Sequence, residues 1–252
     1  MPRRASAPPT DVPFLPDKTI EQETALLLAE FCAEQRAIVA PPIPIDDIIE
    51  LHLKLTFEIS DLQRLFHVAD VHGAIWINDG RLAVDQSLDP DQNPRKLGRY
   101  RFTLGHETGH WRLHRTHYLK NEAQRALFDK QSNAPAYICR SNQKPRVEWQ
   151  ADQFSAYLLM PREMVLKAWE QHRGSLDPVT LDDLRARESE IVAAETSRRG
   201  RLDRDRESLD NAMLDWCGLP LAKLFEVSPE AMRIRLESLG LLVRKKEKML
   251  FE

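Results

Sequence analysis

The sequence predicts an α+β fold: a mainly helical domain with one small antiparallel sheet or hairpin, followed by a helix-turn-helix-like (winged-helix-like) helical unit. Three observations carry this. Apolar residues recur at helical spacing, beginning with Leu26, Leu27, Phe31 and Ile38. Ala74–Ile77 and Arg81–Val84 flank Asn78-Asp79-Gly80, the best hairpin signal in the chain. Near the end, one helix closes at about Phe225 and a second is capped by Ser228, with Pro229 in its first turn and Gly240 placed to stop it. The 252 residues suffice for one good-sized core or two small domains. A formal net charge of -3 carries no global nucleic-acid signature. Cys32, Cys139 and Cys217 are widely spaced, which argues against a disulfide framework and suits a reducing compartment. No segment has the apolar length of a membrane span and no signal-peptide run follows Arg3 and Arg4, so a cytoplasmic location is expected.

In chain order, residues 1–18 hold five prolines and little to bury, which predicts a disordered leader. A helix follows from Thr19, a candidate N-cap, to about Val39, where Pro41, Pro42 and Pro44 stop it. Asp46 or Asp47 caps a short helix to Leu53, and Leu55–Ile59 reads as a strand. Residues 61–70 are helix or loop. The hairpin has an edge that could pair an extended peptide. Residues 119–146 read as irregular apart from a short helix at 121–128, a length that suggests a rim or lid. Helices resume at Val147, and the span 19–194 is expected to form the main domain. The stretch 195–206, with five arginines, reads as a charged loop, and 207–252 as the C-terminal unit. In that unit Leu221, Leu224, Val227, Met232, Leu236 and Leu239 give a packed side. Arg233 and Arg235 lie near the would-be recognition surface, so DNA contact through 219–248 is a reading to be weighed, though Glu230 and Glu237 dilute the charge.

The chemistry concentrates in Arg101–His114, RFTLGHETGHWRLH. On a helix, His106 and His110 fall four apart on one face, about 6 Å from each other. Two imidazoles so placed can share one zinc ion, with Glu107 beside it to take a proton from water. Gly105 and Gly109, also four apart, weaken the helix by about 1 kcal/mol each, which suggests close packing of another element. His52, His67 and His72 lack ligand spacing. A second helix, EWQADQFSAYLLMP, puts Glu148 and Asp152 on one face, where two carboxylates repel unless a cation lies near. Glu148 as third ligand and Asp152 as acceptor for a ligand histidine remove that objection. The fourth metal position is left to water, which could attack an amide carbonyl with Glu107 as general base. A second donor to the developing oxyanion could be His114, His117 or Tyr118; His114 has the best register and could equally make a structural hydrogen bond. A metzincin pattern is excluded, since it wants glycine at Leu113 and histidine at Thr116. Cys139 is a core or loop cysteine, or a thiolate able to occupy the open metal position.

These motifs, with the tail LAKLFEVSPEAMRIRLESLGLL, resemble the ImmA/IrrE family of metallo-endopeptidases over roughly residues 40–242. The resemblance implies a gluzincin-like, zincin-type peptidase domain. It implies zinc on His106, His110 and Glu148, Glu107 as general base, and Asp152 behind a ligand histidine. It further implies limited proteolysis of a regulatory protein, typically a helix-turn-helix repressor encoded nearby. The C-terminal sensor domain of the radiation-response members is not expected, because about ten residues follow Gly240. The competing class is a DNA- or partner-binding regulatory protein with a structural or vestigial zinc site.

Overall fold

The structure is a computed structural model that describes residues 12–126, 135–140, 145–203 and 205–244. The chain divides into two compact units after Leu159, rather than within the 195–206 stretch.

In the first unit, helix α1 spans Asp17–Glu34 and buries Ile20, Thr24, Leu27 and Phe31. It ends earlier than its pattern suggests. Leu26 faces solvent and the buried stripe stops at Phe31, so no packing holds a further turn to Ile38. Helix α2 (Ile45–Asp47) runs into a π turn over Ile48–His52. Asp46 and Asp47 lie inside it and make no cap; Asp46 instead accepts a 2.7 Å hydrogen bond from the Tyr100 hydroxyl. Strand β1 is Thr56–Ser60. The ambiguous 61–70 stretch contains helix α3, Leu62–Phe66, capped by Asp61.

The hairpin forms as read, with β2 over Val71–Trp76, β3 over Arg81–Asp85, and Gly80 taking φ +60° in the turn. It is not the edge of a sheet. Strand β4, Tyr137–Arg140, joins on the far side of β2, and the order is β1-β3-β2-β4. The β1–β3 pair is parallel and the other two pairs are antiparallel, so the sheet is mixed and its outer strands are β1 and β4. A four-residue strand carries almost no periodicity, which is why β4 is hidden in a stretch that looks irregular. The rest of that stretch, 127–134 and 141–144, lies outside the described residues, as do residues 1–11.

Alternation along β2 sorts the layers. Ala74 and Trp76 pack with Leu62 and Phe66 of α3, while Ile75 faces the opposite way, with Ile77, Tyr118, Tyr137 and Val147. Against that second face lie helix α4 (Leu97–Gly109) and helix α6 (Arg146–Leu159). α4 continues without a break through a π turn, His110–His114, into α5 (Arg115–Ala126). Part of the expected leader, residues 12–16, makes defined contacts with the first unit. Val12 is buried in the core, and the Phe14 ring stacks on Trp149 at 6.1 Å between centroids.

The second unit holds α7 (Arg162–Arg173), β5 (Val179–Thr180), α8 (Leu181–Arg185), α9 (Glu188–Arg199), α10 (Arg206–Phe225), α11 (Pro229–Ser238) and β6 (Leu242–Val243). β5 and β6 pair in parallel. α10 and α11 form the anticipated helix pair: the Ser228 hydroxyl accepts from the Ala231 amide at 3.0 Å, and Gly240 takes φ +72° beyond the end. Leu221, Val227, Met232 and Leu236 are buried as expected, whereas Leu224 is exposed. Half of the charged stretch is helix, because α9 extends to Arg199.

Ion pairing explains that extension. Buried Glu195 accepts from Arg198 and Arg199, and Arg199 also reaches Asp215 at 2.7 Å. Arg233 donates to the other Asp215 oxygen at 2.8 Å, and Arg235 donates to the Met160 carbonyl at 3.0 Å. Both arginines are therefore buried and bonded rather than displayed on a recognition surface. Replacing Asp215 with alanine leaves Arg199 and Arg233 without their shared carboxylate and is expected to destabilise the protein by about 3 kcal/mol, read from urea unfolding. Burial works against ionisation of Glu195, but Arg198 and Arg199 outweigh it and hold its carboxyl below the usual range. Its folded pKa thus lies below its unfolded one. The stabilisation is present above the ordinary carboxylate pKa and is lost as pH falls below it.

Candidate metal centre

Two helices have to approach closely for this site to exist. On α4, a Cβ added at Gly105 would sit 2.5 Å from Ser155 Oγ, and one at Gly109 would sit 3.1 Å from Ala151 Cα. The bare glycines let α6 lie directly against α4, which is the close packing that their helix-weakening presence suggested. Glu148 and Asp152, one turn apart on α6, then reach the histidines of α4.

His106 Nδ1 lies 2.9 Å from Asp152 Oδ1, and His106 Nε2 lies 3.1 Å from Glu148 Oε2. His110 Nε2 is 3.0 Å from His106 Nε2 and 3.5 Å from Glu148 Oε1. His106, His110 and Glu148 are buried. One nitrogen from each ring and a carboxylate thus converge on one point, and such a set needs positive charge. A proton on His106 would serve Glu148 but leave His110 Nε2 facing it without a partner. A divalent cation serves all three. The donor set fits one: two imidazoles and a carboxylate, with Asp152 behind the first imidazole fixing its tautomer. Burial opposes ionisation of Glu148, yet His110 and His106 overcome it and hold the carboxyl well below its usual range. Burial pushes His110 the other way, toward the neutral form that a ligand needs.

Glu107 is fully buried, and among the described residues neither of its carboxylate oxygens has a hydrogen-bond partner. Burial pushes its pKa up to about 8, with His106 opposing and Glu148 adding to the rise. An orphaned buried carboxylate is costly to keep and marks a group held for chemistry. Gly73 on β2 makes room for it, since a Cβ there would stand 2.7 Å from Glu107 Oε1 and 2.6 Å from Thr103 Cγ2. Gly73→Ala is therefore expected to displace Glu107, lowering the rate of peptide cleavage by up to about 10²-fold. Metal affinity, measured by titration, should stay within about threefold, because the ligands are untouched.

His114, the candidate second donor, has hydrogen-bond partners at both ring nitrogens. Its Nδ1 lies 3.0 Å from His110 Nδ1 and its Nε2 lies 2.9 Å from Gln150 Oε1, so both nitrogens are occupied. Burial first, and then the neighbouring His110, push its pKa down to about 3. Tyr118 is buried beside Tyr137, at 6.2 Å between ring centroids, and His117 is half-buried on α5. Cys139 on β4 is half-buried and lies close to His106 and Glu107; burial pushes its thiol up. Sequence reasoning missed Gly73, Gln150 and Tyr137. The Tyr137 ring stacks on His110 at 4.1 Å between centroids, 5° from parallel, and its buried hydroxyl has no hydrogen-bond partner among the described residues. No local spacing links these residues to the histidines.

Residues 91–237, more than half of the chain, match the family model for the IrrE N-terminal-like domain, a peptidase family. The chain belongs to this family. No curated protein matches it. Membership of the IrrE-like peptidases and the His106–Glu107–His110 helix with Glu148 make the protein a metal-dependent endopeptidase. No helix among the described residues is long and apolar enough to cross a membrane.

Proposed function

We propose that this IrrE-like peptidase is a cytoplasmic zinc endopeptidase that makes limited, specific cuts in a regulatory protein, a helix-turn-helix repressor encoded nearby. One observation carries the chemistry: three ligand atoms converge beside a buried carboxylate that has no hydrogen-bond partner among the described residues. Zinc suits two imidazoles and a carboxylate, and a bound cation supplies Lewis acidity toward both the scissile carbonyl and a water. His106, His110 and Glu148 hold it, and Asp152 orients His106. Glu107 takes the proton of the attacking water and passes it to the leaving nitrogen. The outer strand β4, which places Tyr137 and Cys139 at the histidines, supplies an edge for an extended peptide. The family resemblance supports the choice of a repressor as substrate.

The alternative, a DNA-binding regulator, draws little from α11, because Arg233 and Arg235 are buried and paired there. The test is incubation of the zinc-loaded protein with the neighbouring repressor, with fragments read by mass spectrometry beside a chelated sample and the Glu107→Gln variant. A discrete cut that needs both zinc and Glu107 is the expected result. Absence of such cleavage across repressors of this class would sink the substrate assignment.

A further inference from the structure

We infer that His114, Gln150 and the backbone carbonyl of Pro13 form a relay that locks the tautomer of His110 and keeps its Nε2 lone pair turned to the metal. The inference rests on the reading of His106, His110 and Glu148 as a metal centre, and it makes His114 and Gln150 positioning residues rather than catalytic ones.

The proton order follows from the end of the chain of contacts. A proline carbonyl can only accept, and Gln150 Nε2 donates to the Pro13 oxygen at 2.8 Å. That fixes which way the amide points, a choice otherwise left open, and turns Oε1 toward His114. An amide oxygen also only accepts, so the proton between Gln150 Oε1 and His114 Nε2, 2.9 Å apart, sits on the histidine. His114 is buried, and its hydrogen-bond partners among the described residues, Gln150 and His110, bring no anion to hold a second proton. Its Nδ1 is therefore an acceptor. The 3.0 Å contact to His110 Nδ1 then requires the proton on His110 Nδ1. One nitrogen of His110 remains, Nε2, and it faces His106 Nε2 and Glu148 with its lone pair free.

The two ligand histidines are thus oriented by different means. His106 leans on Asp152, a carboxylate whose side chain is 47% exposed. His110 is held by a neutral relay in which His110, His114 and Gln150 are all at most 1% exposed. The far end is anchored because Val12 is in the core and Phe14 stacks on Trp149, with Pro13 between them. The segment before α1 is in this way part of the support of the metal site.

The test uses the full-length protein and zinc as the probe. Zinc affinity is measured by competition with a chromogenic chelator, and the His110 ring tautomer is read from ¹⁵N shifts of the metal-free protein. Wild type should show a proton on Nδ1 of His110. His114→Phe and Gln150→Leu should lower zinc affinity by about 10–100-fold and let that ring move to the other tautomer or a mixture. Unchanged zinc affinity in both His114→Phe and Gln150→Leu would overturn the relay. So would a wild-type His110 ring protonated on Nε2, a result that needs no variant to fold. If wild type binds no zinc yet shows the Nδ1 proton, the metal-centre reading fails and the tautomer lock stands.

Discussion

Replacing Glu107 with glutamine is expected to lower the rate of peptide cleavage by about 10²–10⁴-fold while leaving metal content and unfolding midpoint near wild type. The carboxylate is not among the three ligand atoms of His106, His110 and Glu148, and no hydrogen bond among the described residues depends on its oxygens. Burial holds the carboxyl near its neutral form in the metal-free protein, so an amide of the same shape replaces one uncharged group by another. What glutamine cannot do is accept a proton from water and return it to the leaving nitrogen. Zinc titration and thermal unfolding separate this from a general loss of structure. A Glu107→Gln protein that still cuts at the wild-type rate would show that the proton goes elsewhere, and the mechanism would fall.

Much of this site was legible because its main parts are local. His106 and His110 are four apart on one helix, Glu148 and Asp152 are four apart on another, and helical geometry alone puts each pair on one face. Opposite chemistry then suggests that the two faces meet. Gly105 and Gly109 even mark the place of contact. The parts that were not legible are joined by tertiary structure. Tyr137 reaches His110 only because a four-residue strand pairs with β2. Gln150 and Pro13 are 137 positions apart and meet in the relay without any periodic signal. Arg233 and Arg235 misled for a related reason. They lie between buried Met232 and Leu236 on α11, and long apolar stems let arginines turn inward when the Asp215 carboxylate or the Met160 carbonyl can accept from them.

The contact between α4 and α6 should be as decisive for the metal as any ligand. Gly109→Val is expected to destabilise the metal-free protein by about 3 kcal/mol and to weaken zinc binding by more than tenfold. An added Cβ already meets Ala151 Cα and Phe154 Cβ at 3.1 Å and the Ala151 carbonyl at 3.3 Å. Two of these three atoms belong to the backbone of α6 and cannot swing aside as a flexible side chain would. The β-branched methyls of valine add to the collision. Against this stands the gain from removing a helix-interior glycine, at most about 1 kcal/mol, so the steric term wins. Relief comes most easily by moving α6 outward, and α6 carries both Glu148 and Asp152. Metal–ligand distances tolerate only about 0.2 Å, so even a small displacement pulls the carboxylate off the shared point. Urea unfolding and zinc titration of the same variant give both numbers. A Gly109→Val protein of lowered stability with wild-type zinc affinity would mean that α4 and α6 need not touch to build the site, and that the glycines serve the fold alone.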